Sequence, residues 1–240
     1  MWILLGVQIL LIFVFLLIGW VLRYKHAYWL ISGYTTRPKE EQQQLIENGY
    51  PQKTGTLMIY TAIGMLVLLP LSFTSFTYTI EVQFGFMLIF LLGGFIYLSK
   101  YEVPQKRKRS YIISTSLLVG MSIFIGVLMF LGYQDYQLLT KKASFEITGI
   151  YGDQWPYEEI VQVELMDEMP EVTWKENGFG LAKMAKGFFT VKDYGSSLIF
   201  IKKDYSPYLY IELKNKKIFI NSNNPKQTRG WYEELVRTTK

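Results

Sequence analysis

MWILLGVQILLIFVFLLIGWVL, residues 1–22, is an apolar run whose one clearly polar side chain is Gln8. Strongly polar groups are costly in hydrocarbon, so a run this clean reads as a membrane span. At about 1.5 Å per residue it reaches roughly 33 Å, enough for a bilayer core of about 30 Å. A cleaved signal peptide would carry positive charge before the run and a small-residue cleavage site after it. Here the chain opens Met1-Trp2-Ile3, and Arg23, Tyr24 and Lys25 follow the run, which predicts an uncleaved span. Further apolar blocks lie at Leu57–Phe76, Val82–Leu98 and Tyr111–Tyr133, and none lies in the last hundred residues. The chain therefore reads as an α-helical region of four transmembrane helices over 1–138, joined to a soluble domain over 143–240.

Loop charges orient the spans. The first loop, 23–54, carries Arg23, Lys25, Arg37, Lys39 and Lys53 against Glu40, Glu41 and Glu47. The third, 100–110, carries Lys100, Lys106, Arg107, Lys108 and Arg109 against Glu102, while the second has Glu81 alone. Basic loops stay cytoplasmic, so the first and third are predicted inside. The N-terminus, the second loop and the C-terminal domain then fall outside, with Lys141 and Lys142 as a weaker opposing pull. Block three is short at 17 residues and contains Gly93-Gly94. Were it re-entrant, the two basic loops would lie on opposite sides. The net charge of +5 is concentrated in these loops, a positive-inside pattern and not the stripe of a nucleic-acid binder.

The spans carry packing signals. Ser116-x-x-x-Gly120 and Ser122-x-x-x-Gly126 predict close helix approach, Gly64 and Pro70 permit a kink, and Gln8 is expected to bond to a neighbouring helix. No Asp, Glu, Lys or Arg lies within a block, which argues against a pump or coupled transporter. The chain has no cysteine, excluding disulfides, thiol nucleophiles and thiolate metal sites. With His26 as the single histidine, multi-histidine metal sites within one chain are excluded too. No cofactor and no metal is expected.

In the first loop, Tyr28-Trp29-Leu30-Ile31-Ser32-Gly33-Tyr34 suits the headgroup level of a membrane. Gly33 and Tyr34 are expected to fix a tight turn, and His26 to be an interfacial side chain beside Arg23 and Lys25. A short helix is predicted over Pro38–Glu47, with Thr36 as a candidate cap and Asn48-Gly49 as its stop. The string Trp29-Leu30-Ile31-Ser32-Gly33-Tyr34-Thr35-Thr36, followed by Pro38-Lys39-Glu40-Glu41, resembles the signature of an uncharacterised family of small bacterial membrane proteins, a domain of unknown function. That family usually has Asn where this chain has Thr35. The resemblance covers roughly residues 1–98, implies a three-span unit with this loop inside, and implies no activity.

After Thr140 the periodicity changes to that of strands. Strand-like runs occur at Phe145–Ile150, Ile160–Leu165, Val172–Lys175, Gly187–Lys192, Ser197–Lys202, Tyr208–Leu213 and Lys217–Ile220. Turn signals separate them, among them Gly152-Asp153, Asn177-Gly178 and Lys214-Asn215. A helix start follows, with Asn224 as cap, Pro225 at the first position and Gln227 placed for a capping box. Trp231 with Leu235, and Tyr232 with Val236, form an apolar face. About seven strands in a bent antiparallel sheet or barrel, closed by a C-terminal helix, is the pleckstrin-homology (PH) layout. Ile147-Thr148-Gly149-Ile150-Tyr151-Gly152, Pro156-Tyr157-Glu158-Glu159-Ile160, Asn177-Gly178, Lys186-Gly187-Phe188-Phe189, Tyr208-Leu209-Tyr210-Ile211 and Ile220-Asn221-Ser222 with Thr228 resemble, in that order, a bacterial PH-domain family over about 144–236.

Eukaryotic PH domains are associated with phosphoinositides, and that use is not carried over. Lys175, Lys183 and Lys186 are the nearest candidates for an anion site, but Glu164, Asp167, Glu168, Glu171 and Glu176 crowd them, so a solvated face of mixed charge is expected. An enzyme reading would rest on Asp167, Glu168 and Glu171, on Ser196-Ser197, or on Gly178-Phe179-Gly180. The acids sit in a polar loop, the serines lack a histidine partner, and the glycine string is too short for a phosphate loop. No catalytic, cofactor-binding or metal residue is assigned. The leading expectation is a non-enzymatic, multi-pass protein of the bacterial cell membrane whose PH-like domain binds a protein or peptide partner, without nucleic acid. An envelope-stress sensor or transporter accessory component, and a membrane-face enzyme, are the alternatives.

Overall fold

A computed structural model of the protein describes residues 2–239. Its chain contacts divide into two units, 1–125 and 126–240.

The first unit is helical. Helix α1 is Trp2–Tyr24, α2 Lys39–Glu47, α3 Tyr50–Leu68 and α4 Thr79–Leu98, while α5, Pro104–Tyr133, runs across the division. Among the described residues, four helices are long and apolar enough to cross a membrane, at Leu4–Tyr24, Tyr50–Phe73, Thr79–Tyr101 and Pro104–Tyr133. The short third block is part of a continuous helix of 20 residues, about 30 Å long and sufficient for a bilayer core. Helix α5 has 30 residues, roughly 45 Å, so its basic first turns extend beyond the hydrocarbon.

Helices α1 and α3 make the closest approach. A Cβ on Gly55 would lie 2.7 Å from the Gly19 carbonyl oxygen, and one on Gly19 would lie 2.8 Å from the Gly55 oxygen. Only glycine allows the two backbones to meet there, and close packing of this kind substitutes in lipid for a hydrophobic driving force. Ile12, Ala62 and Met65 form the buried centre, with Phe15, Phe86 and Met87 around it. Gly64 is a socket for the Phe86 ring, not a kink site, since a Cβ there would sit 2.1 Å from Phe86 Cζ. The helix instead tightens at Pro70 into a 3-10 turn over Leu69–Phe73. The small residues of α5 are not used as predicted. A Cβ on Gly120 or Gly126 would meet nothing within 4 Å. Gln8 does bond across helices, accepting from Ser72 Oγ at 3.1 Å. Gln83 of α4, unremarked in the sequence, is fully buried with neither amide atom hydrogen-bonded.

Among its described residues the second unit contains nine strands and helix α6, Pro225–Thr239. The strands are β1 Leu138–Thr140, β2 Ser144–Ile147, β3 Gln154–Pro156, β4 Ile160–Met166, β5 Val172–Gly180, β6 Met184–Val191, β7 Gly195–Lys202, β8 Tyr208–Leu213 and β9 Lys216–Ile220. They form a three-stranded sheet β1-β2-β3 and a six-stranded sheet β4-β8-β9-β7-β6-β5. Three expectations are corrected here. Strands β1 and β3 were not anticipated, and at three residues each they are too short to display a period. The pairing is not wholly antiparallel. Strand β9 returns from the β8 hairpin to lie between β8 and β7, and so runs parallel to β7. Asn177-Gly178 is not a turn but part of β5, where Gly178 faces Gly187. Gly187 has φ +119°, and a Cβ on Gly178 would lie 2.4 Å from the Lys186 oxygen, so the strands approach too closely there for side chains.

Alternation along β7 and β9 buries both sheet faces. Leu198, Phe200, Ile218 and Ile220 face a core shared with Phe145, Ile147 and Trp155 of the small sheet and with Trp231 and Leu235 of α6. Ile199, Ile201 and Phe219 point the other way and pack with Tyr208, Tyr210 and Phe189. Helix α6 starts as predicted, with Asn224 Oδ1 accepting from the Lys226 amide at 3.1 Å. The capping box does not close, because Gln227 is engaged elsewhere, with Ser222 Oγ at 2.5 Å and Gln137 Oε1 at 2.6 Å.

Candidate functional site

At one end of the helical unit the first and third loops meet. The chain leaves α1 through a 3-10 turn at Tyr28–Leu30. It then turns at Gly33, where φ is +73° and the Tyr34 amide donates to the Ile31 oxygen at 3.0 Å. This is the tight turn expected of Gly33 and Tyr34, and it buries Tyr34 with Leu45 and Val103. His26 is an exposed residue whose Nδ1 lies 2.6 Å from Tyr28 Oη. Thr36 does not cap α2. Its hydroxyl donates to the Gly33 oxygen, and Pro38 occupies the cap position without a side-chain bond.

Arg37 and Glu102 join the loops. Arg37 Nη1 donates to Glu102 Oε1 at 2.6 Å and Nη2 to Oε2 at 2.9 Å, while Oε1 also accepts from the Val103 amide. Glu102 is 4% exposed, so its carboxylate is committed to these donors. Its hydrogen bonds hold the Arg37 guanidinium above its usual range despite the opposing effect of burial. Glu41 binds Lys106 at 2.6 Å and lies 3.8 Å from Arg37. A cavity of about 330 Å³ opens beside this network. Arg37, Lys106 and Arg109 supply cations to it, Glu102 lines it, and Tyr50, Ser110, Ile113 and Ser114 complete the wall.

In the second unit, the candidate residues separate. Asp167, Glu168 and Glu171 are exposed on the β4–β5 connection, and Glu171 meets Lys192 at 3.8 Å. Ser196 Oγ donates to Glu176 Oε2 and Ser197 Oγ to the Gly195 oxygen. Gly178, Phe179 and Gly180 lie in β5 and form no loop. Lys175 and Lys186 do not share a solvated face. Lys175 is exposed, whereas Lys186 is 1% exposed and donates to the Gln134 carbonyl just after α5. Burial lowers the Lys186 ammonium below its ordinary range, opposed by Asp135 and aided by Lys202. Lys202 grips the same segment, 2.8 Å from Asp135 Oδ1. Burial opposes ionisation of Asp135, but Lys202 and the Tyr136 amide bring its carboxyl below the usual range. Tyr136 is buried, with Lys202 Nζ 5.7 Å from its ring centroid. Its hydroxyl lacks a hydrogen bond of ordinary geometry, since the nearby Lys202 amide is taken by Asn221 Oδ1 at 2.7 Å.

Two surfaces were not legible in the sequence. The first is the loop-joining network, whose partners Arg37 and Glu102 are 65 residues apart. The second is the edge of the large sheet. Strand β5 pairs only with β6 in the sheet order, and its Trp174 side chain is 70% exposed beside exposed Val172. At the opposite edge, α6 packs against β4.

These features define a membrane protein whose four apolar helices precede a PH-like β domain closed by a helix. Residues 137–234 match the family model described as Bacterial PH domain, and residues 9–102 match Domain of unknown function (DUF3784). Each match covers less than half of the chain, so one region is similar to each family. No curated protein and no solved structure matches it significantly.

Proposed function

We propose that the protein is a membrane-anchored, non-enzymatic binding module whose PH-like domain takes an extended segment of a protein partner along the β5 edge. The observation that carries this reading is the nine-residue edge strand with Trp174 standing in solvent. An unpaired edge offers backbone donors and acceptors to an added strand, and an exposed aromatic side chain offers an anchor. Irregular register at Val172/Trp174 and Lys175/Asn177, with charges at Lys175 and Glu176, limits indiscriminate pairing. The exposed positions of Asp167, Glu168 and Glu171 support a binding role over acid–base chemistry.

We place the protein in the bacterial cell membrane with its basic loops cytoplasmic and its C-terminal domain outside. The Arg37–Glu102 and Lys106–Glu41 pairs support a common side for the two basic loops. A photoreactive side chain at Lys175 tests the binding role in growing cells. The reading expects a discrete adduct that Trp174→Asp abolishes, while the same probe at Glu233 of α6 stays silent. Equal labelling at both positions, or an adduct indifferent to Trp174→Asp, overturns it.

A further inference from the structure

The cavity between the loops and α5 has a chemistry that the PH domain does not explain. Lys106 with Arg109 and Ile113, and Lys106 with Ser110 and Ser114, are linked by three- and four-residue spacings, so together they form a single stripe of α5. The stripe is graded. Cations come first, then the two hydroxyls, with Ser110 Oγ 2.9 Å and Ser114 Oγ 3.4 Å from Ser99 Oγ. Ile113, between the two serines, leads onto an apolar helix surface with exposed Leu117.

Its charges do not cancel. Arg37, Lys106 and Arg109 face Glu102 and Glu41, three cations against two carboxylates. Glu102 is consumed by Arg37 and Glu41 by Lys106. Arg109 lines the cavity and has no ion pair within 4 Å among the described residues. Guanidinium groups bind phosphate through paired N–H donors. Basic pockets between membrane helices collect anionic headgroups from the adjoining leaflet. At about 330 Å³ the space is at the small end of ligand sites, which begin near ~300 Å³.

We propose that this cavity binds a phosphate group, with Arg109 as its principal donor, and that the phosphate is carried by an anionic glycerophospholipid. The apolar continuation of the stripe at Ile113 and Leu117 favours lipid over free phosphate, because acyl chains would lie along it. Arg37 and Lys106 are positioning residues as well as charges, held by Glu102 and Glu41.

The test uses the full chain in detergent micelles, titrated with phosphatidylglycerol, phosphatidylcholine or inorganic phosphate, with bound lipid counted by native mass spectrometry and unfolding temperature followed alongside. Phosphatidylglycerol should bind in preference to phosphatidylcholine. Arg109→Gln should weaken its binding about fivefold, the scale of one basic residue at a membrane surface. Lys108→Gln, the same charge change outside the cavity lining, should have a much smaller effect. Inorganic phosphate that competes with phosphatidylglycerol and protects equally would keep the site and overturn its lipid source. No preference over phosphatidylcholine, or equal losses in Arg109→Gln and Lys108→Gln, would overturn the site itself.

Discussion

Glu102→Gln is the sharpest probe of the helical unit, because it changes charge and little else. In the parent, the two carboxylate oxygens take two guanidinium N–H groups and the Val103 amide. A glutamine can keep its oxygen for Arg37 Nη1 and Val103, but its Nε2 donor then faces the Nη2 donor. One charge-assisted bond is lost, worth about 1.5–3 kcal/mol. Breaking a fully buried ion pair costs about 3–5 kcal/mol. Here the loss is tempered because the Arg37 side chain is 23% exposed and Glu41 is 3.8 Å away. The expected destabilisation is therefore about 2–3 kcal/mol, roughly 30- to 150-fold in the folding equilibrium. Reversible unfolding in mixed micelles, run as a cycle with Arg37→Gln, measures it. The double variant should lose much less than the sum of the two singles. A loss below about 0.5 kcal/mol, typical of an exposed pair, would refute the claim that this contact holds the two loops together.

Gly55→Ala should cost about 1–3 kcal/mol in the same unfolding assay, since its Cβ would press on the Gly19 oxygen at 2.7 Å; an unchanged midpoint would count against the α1–α3 packing. Tyr136→Phe should be neutral or stabilising by about 1 kcal/mol at pH 7, because the hydroxyl is buried without a good partner. Burial, chiefly, raises the Tyr136 ionisation above its ordinary 10.0. Its contribution in the parent is complete below pH 10 and is lost as pH rises toward the folded value, so the Phe variant should lose less stability on alkaline titration. Lys186→Met should hold or raise the stability of the domain at pH 7, because the lysine's folded value is depressed and burying its charge is unfavourable below that value. That penalty fades as pH rises toward the unfolded 10.5, and the advantage of Met should shrink with it. A Met variant destabilised by more than about 2 kcal/mol would show that the bond to the Gln134 carbonyl outweighs desolvation.

The spans were legible because hydrocarbon tolerates so few side chains that length and composition decide them. The start of α6 was legible because Asn224-Pro225 carries a local physical signal. Features that depend on a partner far along the chain were not. Gly19 and Gly55 belong to no motif and matter only because α1 and α3 cross there. The small-residue stripe of α5 has the motif without a partner within 4 Å of Gly120 or Gly126. Asn177-Gly178 carries a turn signal, but the same lack of a side chain serves a close strand approach opposite Gly187. Lys186 looked like a surface cation, and only the tertiary fold supplies the carbonyl that lets it be buried. Nothing in residues 37 or 102 announced their pairing.

The absence of cysteine from the chain makes single-cysteine labelling a direct measure of which side of the membrane the PH-like domain faces. Lys108→Cys in the third loop and Glu168→Cys on the β4–β5 connection are both exposed positions. A membrane-impermeant maleimide applied to intact cells or spheroplasts should label Glu168→Cys and leave Lys108→Cys unlabelled until the membrane is broken. Labelling of Lys108→Cys in sealed cells, with Glu168→Cys protected, would reverse the orientation and remove the outside-facing binding role proposed for β5.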